Sequence, residues 1–305
     1  MSVRSIAAAF GTMALAALTP LSAGAQAPSA FDPNDADQAA YVDGNLYFLA
    51  YHEVGHLILD TALVDQEQDR KTSELAADDV ATLVMIPDPD EADQDEAILA
   101  AILGWARSAE SRVGVAASPH YPDDAERASR IACYVFGSNP ALYQPLRKIF
   151  SVSLESVDCE AEFAALTADM ADWFGEALVE DGEAAGVTPE VRYEPAPASL
   201  KAAQAYLAKS QILENVAYDV GQFVALSEDT SIVARSCGLG AAEFRYDPGE
   251  RAIIACYEAV DWLMRDVNDE EQAVAAGSGE SASEGVLGSG GARVSQRPRP
   301  PRRTR

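Results

Sequence analysis

Residues 41–63, YVDGNLYFLAYHEVGHLILDTAL, are the stretch of sequence that decides the fold. Apolar residues recur in it at a spacing of three and four, which predicts an amphipathic helix. These apolar residues are Leu46, Leu49, Val54, Leu57, Ile58 and Leu63. The stretch also contains two histidines, His52 and His56, which lie one helical turn apart and therefore project from the same face.

The segment His52-Glu53-Val54-Gly55-His56 has the form HExxH. Two neutral imidazoles one turn apart can bind a single Zn²⁺, and Glu53 points about 100° round the helix from His52. From there its carboxylate can act as general base on the zinc-bound water. The chain has only 3 histidines, so this spacing is improbable by chance. A surface helix with two unused histidines is the alternative, and the flanking apolar residues disfavour it.

A second helix is predicted at residues 73–86, where Pro87 ends the helical pattern. It contains Glu74 and Asp78, again one turn apart. Glu74 is the expected third zinc ligand, which leaves a fourth position open as in catalytic zinc sites. Asp78 is expected to accept a hydrogen bond from a ligand histidine and to fix its tautomer, with Asp79 as the competitor. A solvated acid at the helix start is the alternative interpretation of Glu74.

The rest of the chain predicts a mainly α fold with a small antiparallel β-hairpin, an α+β class. Further helices are predicted at residues 96–113, 123–136, 159–178, 200–226 and 257–266. Extended segments are predicted at residues 189–193 and around Phe244 and Ile253. The turn sequence Asp247-Pro248-Gly249 joins the last two, so they should form the hairpin.

The N-terminus has the pattern of a secretory signal peptide. Arg4 precedes an apolar run at residues 6–21, and residues 23–27 offer two overlapping small-x-small cleavage sites. A membrane anchor is the weaker alternative, because polar and helix-breaking residues interrupt a run already short for a membrane span. We therefore predict removal of residues 1–27, no transmembrane span in the mature chain, and a periplasmic or secreted location.

The four cysteines form two local couples, Cys133 with Cys159 and Cys237 with Cys256. An even number of cysteines in an exported chain predicts two disulfides. Three pairings are possible, and we expect the local one. A cysteine zinc site is disfavoured, because the sequence contains no Cys-x-x-Cys.

The net charge of −27 is unevenly distributed along the chain. Residues 271–305 are Gly/Ser-rich and then Arg/Pro-rich, and we predict that this tail is disordered. Without the basic tail, the remaining body is still more acidic, which argues against nucleic acid as a partner. The acidic surface either keeps the protein soluble or favours basic substrates.

HExxH on one helix with Glu-x-x-x-Asp on the next is similar to the gluzincin class of zinc peptidases. Over residues 40–265, the chain more closely resembles a family of exported bacterial proteins described as metallopeptidases. The resemblance lies in Tyr51 to His56, the acids Glu74 and Asp78, the segment His120…Asp123…Arg127…Cys133, and the segment Cys237-Gly238…Tyr246-Asp247-Pro248…Cys256-Tyr257-Glu258. It implies a zincin-like pair of active-site helices, one Zn²⁺ per chain, and a peptide or protein substrate for a metallopeptidase-like domain at residues 28–270.

The resemblance also implies a side chain that donates a hydrogen bond to the oxyanion of the tetrahedral intermediate. His120, the third histidine, is the candidate, and the alternatives are that it borders the cleft or binds the metal. Tyr193, Tyr246 and Tyr257 are further candidates, although such tyrosines are more often packing residues.

One departure from the gluzincin pattern concerns the β-sheet, which usually precedes the HExxH helix. No strand is predicted there, so a substrate-aligning strand must come from residues 189–193 or from the hairpin at 241–256. Asp123 and Arg127 lie one turn apart on a predicted helix, and we expect an ion pair between them.

Two functions are compatible with these patterns. The first is a zinc-dependent hydrolase, a metallopeptidase with Glu53 as general base. The second is a non-catalytic zinc-binding or interaction protein of the cell envelope, in which the acidic loop at 87–96 covers the metal. A groove beside His52 would favour the enzyme. A motif that binds no metal is a third, weaker possibility.

Overall fold

The computed structural model describes residues 31–275 apart from seven internal segments, 62–68, 88–94, 112–120, 151–153, 175–185, 227–229 and 239–242. The predicted signal peptide, His120 and the tail from residue 276 onward lie outside the described residues, as does most of the acidic loop at 87–96. Among the described helices, none is both long and apolar enough to cross a membrane.

The described helices are α1 (Ala36–Thr61), α2 (Arg70–Met85), α3 (Glu96–Ser111), α4 (Asp124–Ser138), α5 (Gln144–Ile149), α6 (Cys159–Phe174), α7 (Lys201–Ser210), α8 (Ile212–Phe223) and α9 (Tyr257–Ala275), with a 3₁₀ turn at Ala198–Leu200. The strands are β1 (Glu190–Tyr193), β2 (Ser231–Arg235), β3 (Arg245–Asp247) and β4 (Ala252–Cys256). The fold is therefore mainly α with a small sheet, as the sequence predicts.

Helix α1 is the centre of the molecule. It packs against α2, α3, α8 and α9, and its C-terminal half also contacts β3 and β4. Its buried side chains, which include Leu46, Phe48, Leu57 and Leu59, face these neighbours on several sides. Because α1 is apolar over much of its circumference, it can be covered by neighbours on several sides, which is typical of a core helix. The HExxH motif therefore lies in the interior.

The sheet is mixed, with strand order β1-β2-β4-β3. β3 and β4 pair antiparallel, with Tyr246 opposite Ile253, which confirms the predicted hairpin. β1 confirms the extended segment at 189–193, but β2 was not predicted and pairs in parallel with both β1 and β4. The β-branched residues Thr230, Ile232 and Val233 were the available signal for β2.

Both expected disulfides are present. Cys133–Cys159 joins α4 to the start of α6, and Cys237–Cys256 joins the chain after β2 to the end of β4. The two loops span 26 and 19 residues. Disulfides of this kind are compatible with a location outside the cytoplasm.

Two predicted helix boundaries are wrong. The single helix predicted at 200–226 is interrupted at Gln211, whose backbone adopts a left-handed conformation with φ of 57°, so that α7 and α8 are separate helices. A non-glycine residue in this region breaks the helical hydrogen-bond pattern. At the C-terminus, α9 continues to Ala275, beyond both the predicted helix end and residue 270, where the predicted domain ends.

Candidate metal centre

Three predicted ligands converge between α1 and α2. The Nε2 atoms of His52 and His56 are 3.2 Å apart, and Glu74 Oε2 lies 3.3 Å from the first and 3.8 Å from the second. Metal–ligand bonds of about 2.0–2.1 Å at tetrahedral angles place neighbouring ligand atoms roughly 3.3–3.4 Å apart. The three atoms therefore form a triangle of the size that one tetrahedral metal ion requires. They are the candidate metal-binding group among the described residues.

Local structure explains why these side chains meet. His52 and His56 are one turn apart on α1, with their rings 4.8 Å apart and nearly perpendicular. Glu74 is in the first two turns of α2, whose N-cap residue Asp69 accepts a hydrogen bond from the Thr72 amide. The cap fixes the residue at which α2 begins. It therefore helps to set the position of Glu74 relative to the two histidines of α1.

Glycine at position 55 allows the two helices to approach closely. A Cβ atom there would lie 2.7 Å from Ala77 Cα and 3.0 Å from its carbonyl oxygen. Such distances are too short for any side chain without movement of the backbone of α2. The residue at the second variable position of the motif therefore decides how near Glu74 can come to the two histidines.

Asp78 occupies the position that the sequence predicts behind His52. Its Oδ1 lies 2.8 Å from His52 Nδ1, and the side chain is buried. In the neutral ring, a carboxylate acceptor at Nδ1 places the proton there and leaves the lone pair of Nε2 directed at the metal position. Asp79, the competitor, is bound instead by Arg130, with 2.8 and 2.9 Å between paired atoms.

The expected ion pair between Asp123 and Arg127 is not what the structure shows. Asp123 is the N-cap of α4 and accepts a hydrogen bond from the Ala125 amide. Arg127 turns into the core and binds both carboxylate oxygens of Asp78. The N-cap side chain is directed at the helix end, so Arg127 is left to pair across helices.

Glu53 is buried beside the ligands and contacts the sheet. Its Oε2 accepts a hydrogen bond from the backbone amide of Tyr246 in β3. The Tyr246 hydroxyl donates to Asp60 Oδ2 at 2.9 Å, one turn beyond the motif on α1. The edge strand is therefore attached to the HExxH helix at two points.

Burial and hydrogen bonds set the pKa values in the centre. Burial opposes protonation of His52, but hydrogen bonds with Asp78 and Glu74 outweigh it and raise its pKa to about 10. Burial also opposes ionisation of Glu74, yet hydrogen bonds with His52 and His56 hold its pKa well below the ordinary value. Burial raises the pKa of Glu53. A carboxylate with a raised pKa is a stronger base.

A cleft of about 1070 Å³ opens beside the ligands, formed by described residues of α1 to α4, the hairpin and α9. Its walls combine aromatic side chains, Trp105, Tyr121, Phe244 and Trp262, with the charged groups of the centre. Cavities with an apolar lining and a few convergent polar groups are typical of ligand sites.

A family model described as "Putative metallopeptidase" (DUF4344) matches residues 21–173, about half of the chain. The chain belongs to this family. Membership supports a peptidase or another hydrolase and implies a metal ion, which the group formed by His52, His56 and Glu74 could bind. The comparisons with curated proteins and with solved structures gave no match.

The family match includes the three candidate ligands, Asp78 and Arg127, whereas the hairpin that contacts Glu53 follows it. Two tyrosines that the sequence offered as oxyanion donors have hydroxyl groups that are already hydrogen-bonded elsewhere. The Tyr193 hydroxyl is bonded to Glu214, and the Tyr257 hydroxyl donates to the Glu194 carbonyl, so both have structural partners.

Sequence reasoning paired Arg127 with Asp123 and did not consider Trp105, and the structure places both residues in the lining of the cleft. The guanidinium of Arg127 lies 3.5 Å from the centre of the Trp105 ring. A signal existed, because Arg127 and Arg130 lie on the same face of a predicted helix as Ile131 and Tyr134. The identity of their partners was not readable from the spacing.

Proposed function

We propose that the protein is a zinc-dependent hydrolase, a metallopeptidase that cleaves peptide bonds. The observation that carries this proposal is the triangle of His52, His56 and Glu74 atoms, with Glu53 beside it in an open cleft. A structural zinc site is usually closed by four protein ligands, whereas three ligands and a cleft are typical of a catalytic one.

His52, His56 and Glu74 would hold one Zn²⁺ per chain. When bound, zinc supplies Lewis-acid chemistry, polarising a carbonyl and lowering the pKa of a water to about 7. Asp78 keeps His52 in the tautomer with a free Nε2 lone pair. The three ligand residues would fix the position of the ion beside the cleft.

Glu53 is proposed as the general base. Its carboxylate accepts a proton from the attacking water and passes it to the nitrogen of the leaving amine. The amide of Tyr246 fixes Oε2, so that Oε1 is the oxygen available for this transfer. The raised pKa of Glu53 suits both steps, because the group must first bind the proton and then release it.

The aligning strand for an extended peptide is proposed to be β3. It is the edge strand beside α1, whereas β1, the other candidate, lies at the opposite edge of the sheet. His120 remains the proposed oxyanion donor, since Tyr121 lines the cleft next to it in sequence. We propose a peptide or protein substrate and no nucleic acid, given the acidic chain.

The proposed organisation is a signal peptide at 1–27, a catalytic domain from residue 28 to the end of α9 at Ala275, and a Gly/Ser-rich and then Arg/Pro-rich tail after it. Periplasmic or secreted location is supported by the apolar N-terminal run and by the two disulfides.

One observation favours a second function, a non-catalytic zinc-binding or interaction protein of the cell envelope. The outward amide of Tyr246, which a bound peptide would pair with on the edge strand, already donates to Glu53. A peptide could use this point of the strand only if Glu53 released it.

The test begins with metal content in the exported, disulfide-bonded protein, measured by elemental mass spectrometry beside His56→Ala and Glu53→Gln. We expect about one zinc per chain in the wild type and in Glu53→Gln, and none in His56→Ala. Hydrolysis of a mixed fluorogenic peptide library should be present only in the wild type. Full activity of Glu53→Gln would refute the mechanism, and zinc without hydrolysis would favour the second function.

A further inference from the structure

Arg127 contributes none of the three ligand atoms; it lies in the cleft lining on the Nδ1 side of His52, with its Nη2 3.4 Å from that nitrogen. Its Nε and Nη2 atoms donate to Oδ2 and Oδ1 of Asp78 at 2.7 and 2.5 Å. Its guanidinium carbon lies 3.5 Å from the centre of the Trp105 ring. Two hydrogen bonds thus hold the guanidinium within its plane, and an aromatic ring holds it across the plane.

Asp78 connects this guanidinium to a proposed ligand. Its Oδ1 is shared between Arg127 Nη2 and His52 Nδ1, which lies 2.8 Å away. Asp78 is 1% exposed, so protein groups rather than bulk water determine its orientation. A carboxylate held at one oxygen can still turn about its Cβ–Cγ bond. Held at both oxygens, Asp78 presents Oδ1 to His52 in one orientation only.

We propose that Arg127 is a positioning residue for the metal centre, which fixes the His52 ring through Asp78 and thereby sets the affinity for zinc. The inference rests on the metal site proposed above. It depends on the planar, two-pronged geometry of the guanidinium and not on its charge alone. Lysine keeps the charge but offers a single donor centre, so it should not replace arginine here.

Arg130 supplies a matched control on the same pair of helices. It is buried, and it binds both oxygens of Asp79 at 2.8 and 2.9 Å. Its guanidinium also lies over an aromatic ring, that of Tyr134, at 5.2 Å. The chemistry is the same as at Arg127, but the acid that it holds is not the one bonded to His52 Nδ1.

The experiment compares Arg127→Lys with Arg130→Lys in the full mature protein. Zinc affinity is measured by competition with a chromophoric chelator, and the absorption spectrum of the Co²⁺ form reports ligand geometry. We expect Arg127→Lys to weaken zinc binding by about 10–100-fold and to alter the Co²⁺ spectrum. Arg130→Lys should retain the wild-type affinity and spectrum, even if its thermal stability falls as much. Equal zinc affinities in the two variants would overturn the proposal.

A second pair of variants covers the case in which Arg127→Lys does not fold. Asp78→Ala, which removes the oxygen that links Arg127 to His52, is compared with Asp78→Ala/Arg127→Gln, in which no buried charge of the pair is left without its partner. If Arg127 acts through Asp78, these two proteins bind zinc with the same affinity. Weaker binding by the double variant would overturn the proposal. Absence of zinc from the wild type would instead remove the proposed metal site itself, so the two failures are distinguishable.

Discussion

His52 is bonded through both ring nitrogens, which makes it the residue on which the centre depends most. Its Nδ1 is hydrogen-bonded to Asp78 Oδ1, and its Nε2 lies 3.3 Å from Glu74 Oε2. In the metal-free protein these two acids stabilise the imidazolium and raise the pKa of His52 to about 10, against the effect of burial. A metal ion needs the neutral ring, so it must compete with a proton for Nε2.

Metal affinity should therefore depend on pH. Near neutral pH, His52 of the metal-free protein is protonated, so zinc binding displaces a proton and the apparent affinity should rise about tenfold per pH unit between pH 6 and 8. Calorimetry in buffers of different ionisation enthalpy would measure the released proton. Asp78→Asn, which removes a negative charge beside the imidazolium, should show a shallower dependence. An affinity that does not change with pH would contradict this account.

The same shift predicts the pH dependence of metal-free stability. The folded pKa of His52 is above its ordinary value of 6.5, so the protonated form favours the folded state. Its contribution to the free energy of unfolding is complete below about pH 6.5 and is lost as the pH rises toward 10. Urea unfolding in chelator at a series of pH values would test this. His52→Gln should remove the dependence on this group.

At the scale of elements, the centre depends on the closeness of α1 and α2. The histidines belong to one helix and Glu74 to the other, so the distance between the helices sets the size of the ligand triangle. Gly55 is the point of closest approach, facing the backbone of Ala77. The hairpin is the third element, because the amide of Tyr246 holds Glu53 from the other side.

Gly55→Ala should have two opposing effects on the stability of the protein. Helix propensity alone would stabilise the protein by up to about 1 kcal/mol. The added Cβ, 2.7 Å from Ala77 Cα, should push α2 away and destabilise the protein by about 1–3 kcal/mol, with weaker zinc binding. Chemical unfolding and zinc competition would measure both. Gly249→Ala in the hairpin turn, where the nearest atom is 3.3 Å away, is the control and should leave zinc affinity unchanged.

At the scale of the whole molecule, tyrosine hydroxyls donate hydrogen bonds to several of the chain's many carboxylates. The chain has 49 acidic and 22 basic residues, and α1 is joined to its neighbours by tyrosine–carboxylate hydrogen bonds. These bonds are Tyr41–Asp266, Tyr51–Asp219, Tyr206–Asp43 and Tyr246–Asp60. Each of these bonds gives a carboxylate a neutral hydrogen-bond donor, and Asp266 also has Arg107 at 3.5 Å.

One disulfide connects the two helices α4 and α6, and the other connects the chain after β2 to β4, its neighbour in the sheet. Loops of 26 and 19 residues should each contribute about 3 kcal/mol in the chain-entropy model. We expect Cys133→Ala/Cys159→Ala and Cys237→Ala/Cys256→Ala to lose similar stability in urea. Only the second pair lines the cleft, beside the hairpin that holds Glu53. It should therefore reduce hydrolysis more than the first, and equal losses of activity would contradict that expectation.

The sequence by itself determined the features that depend on neighbours along the chain. The period of α1 placed His52 and His56 on one face, and Glu74 and Asp78 followed the same rule on α2. The local cysteine couples and the Asp247-Pro248-Gly249 turn likewise predicted the disulfides and the hairpin. In all of these cases, the regular backbone geometry of a helix or a turn determines where residues of a given sequence spacing lie.

Only the tertiary structure decided which distant groups meet. The spacing from Glu74 favoured Asp78 over Asp79, but only the packed structure shows that Asp78 contacts His52 and that Asp79 contacts Arg130. The partner of Arg127, the parallel insertion of β2 and the contact between Tyr246 and Glu53 join residues far apart in sequence. Such contacts follow from how whole helices and strands pack, since burial and hydrogen bonding are satisfied by the folded chain as a unit.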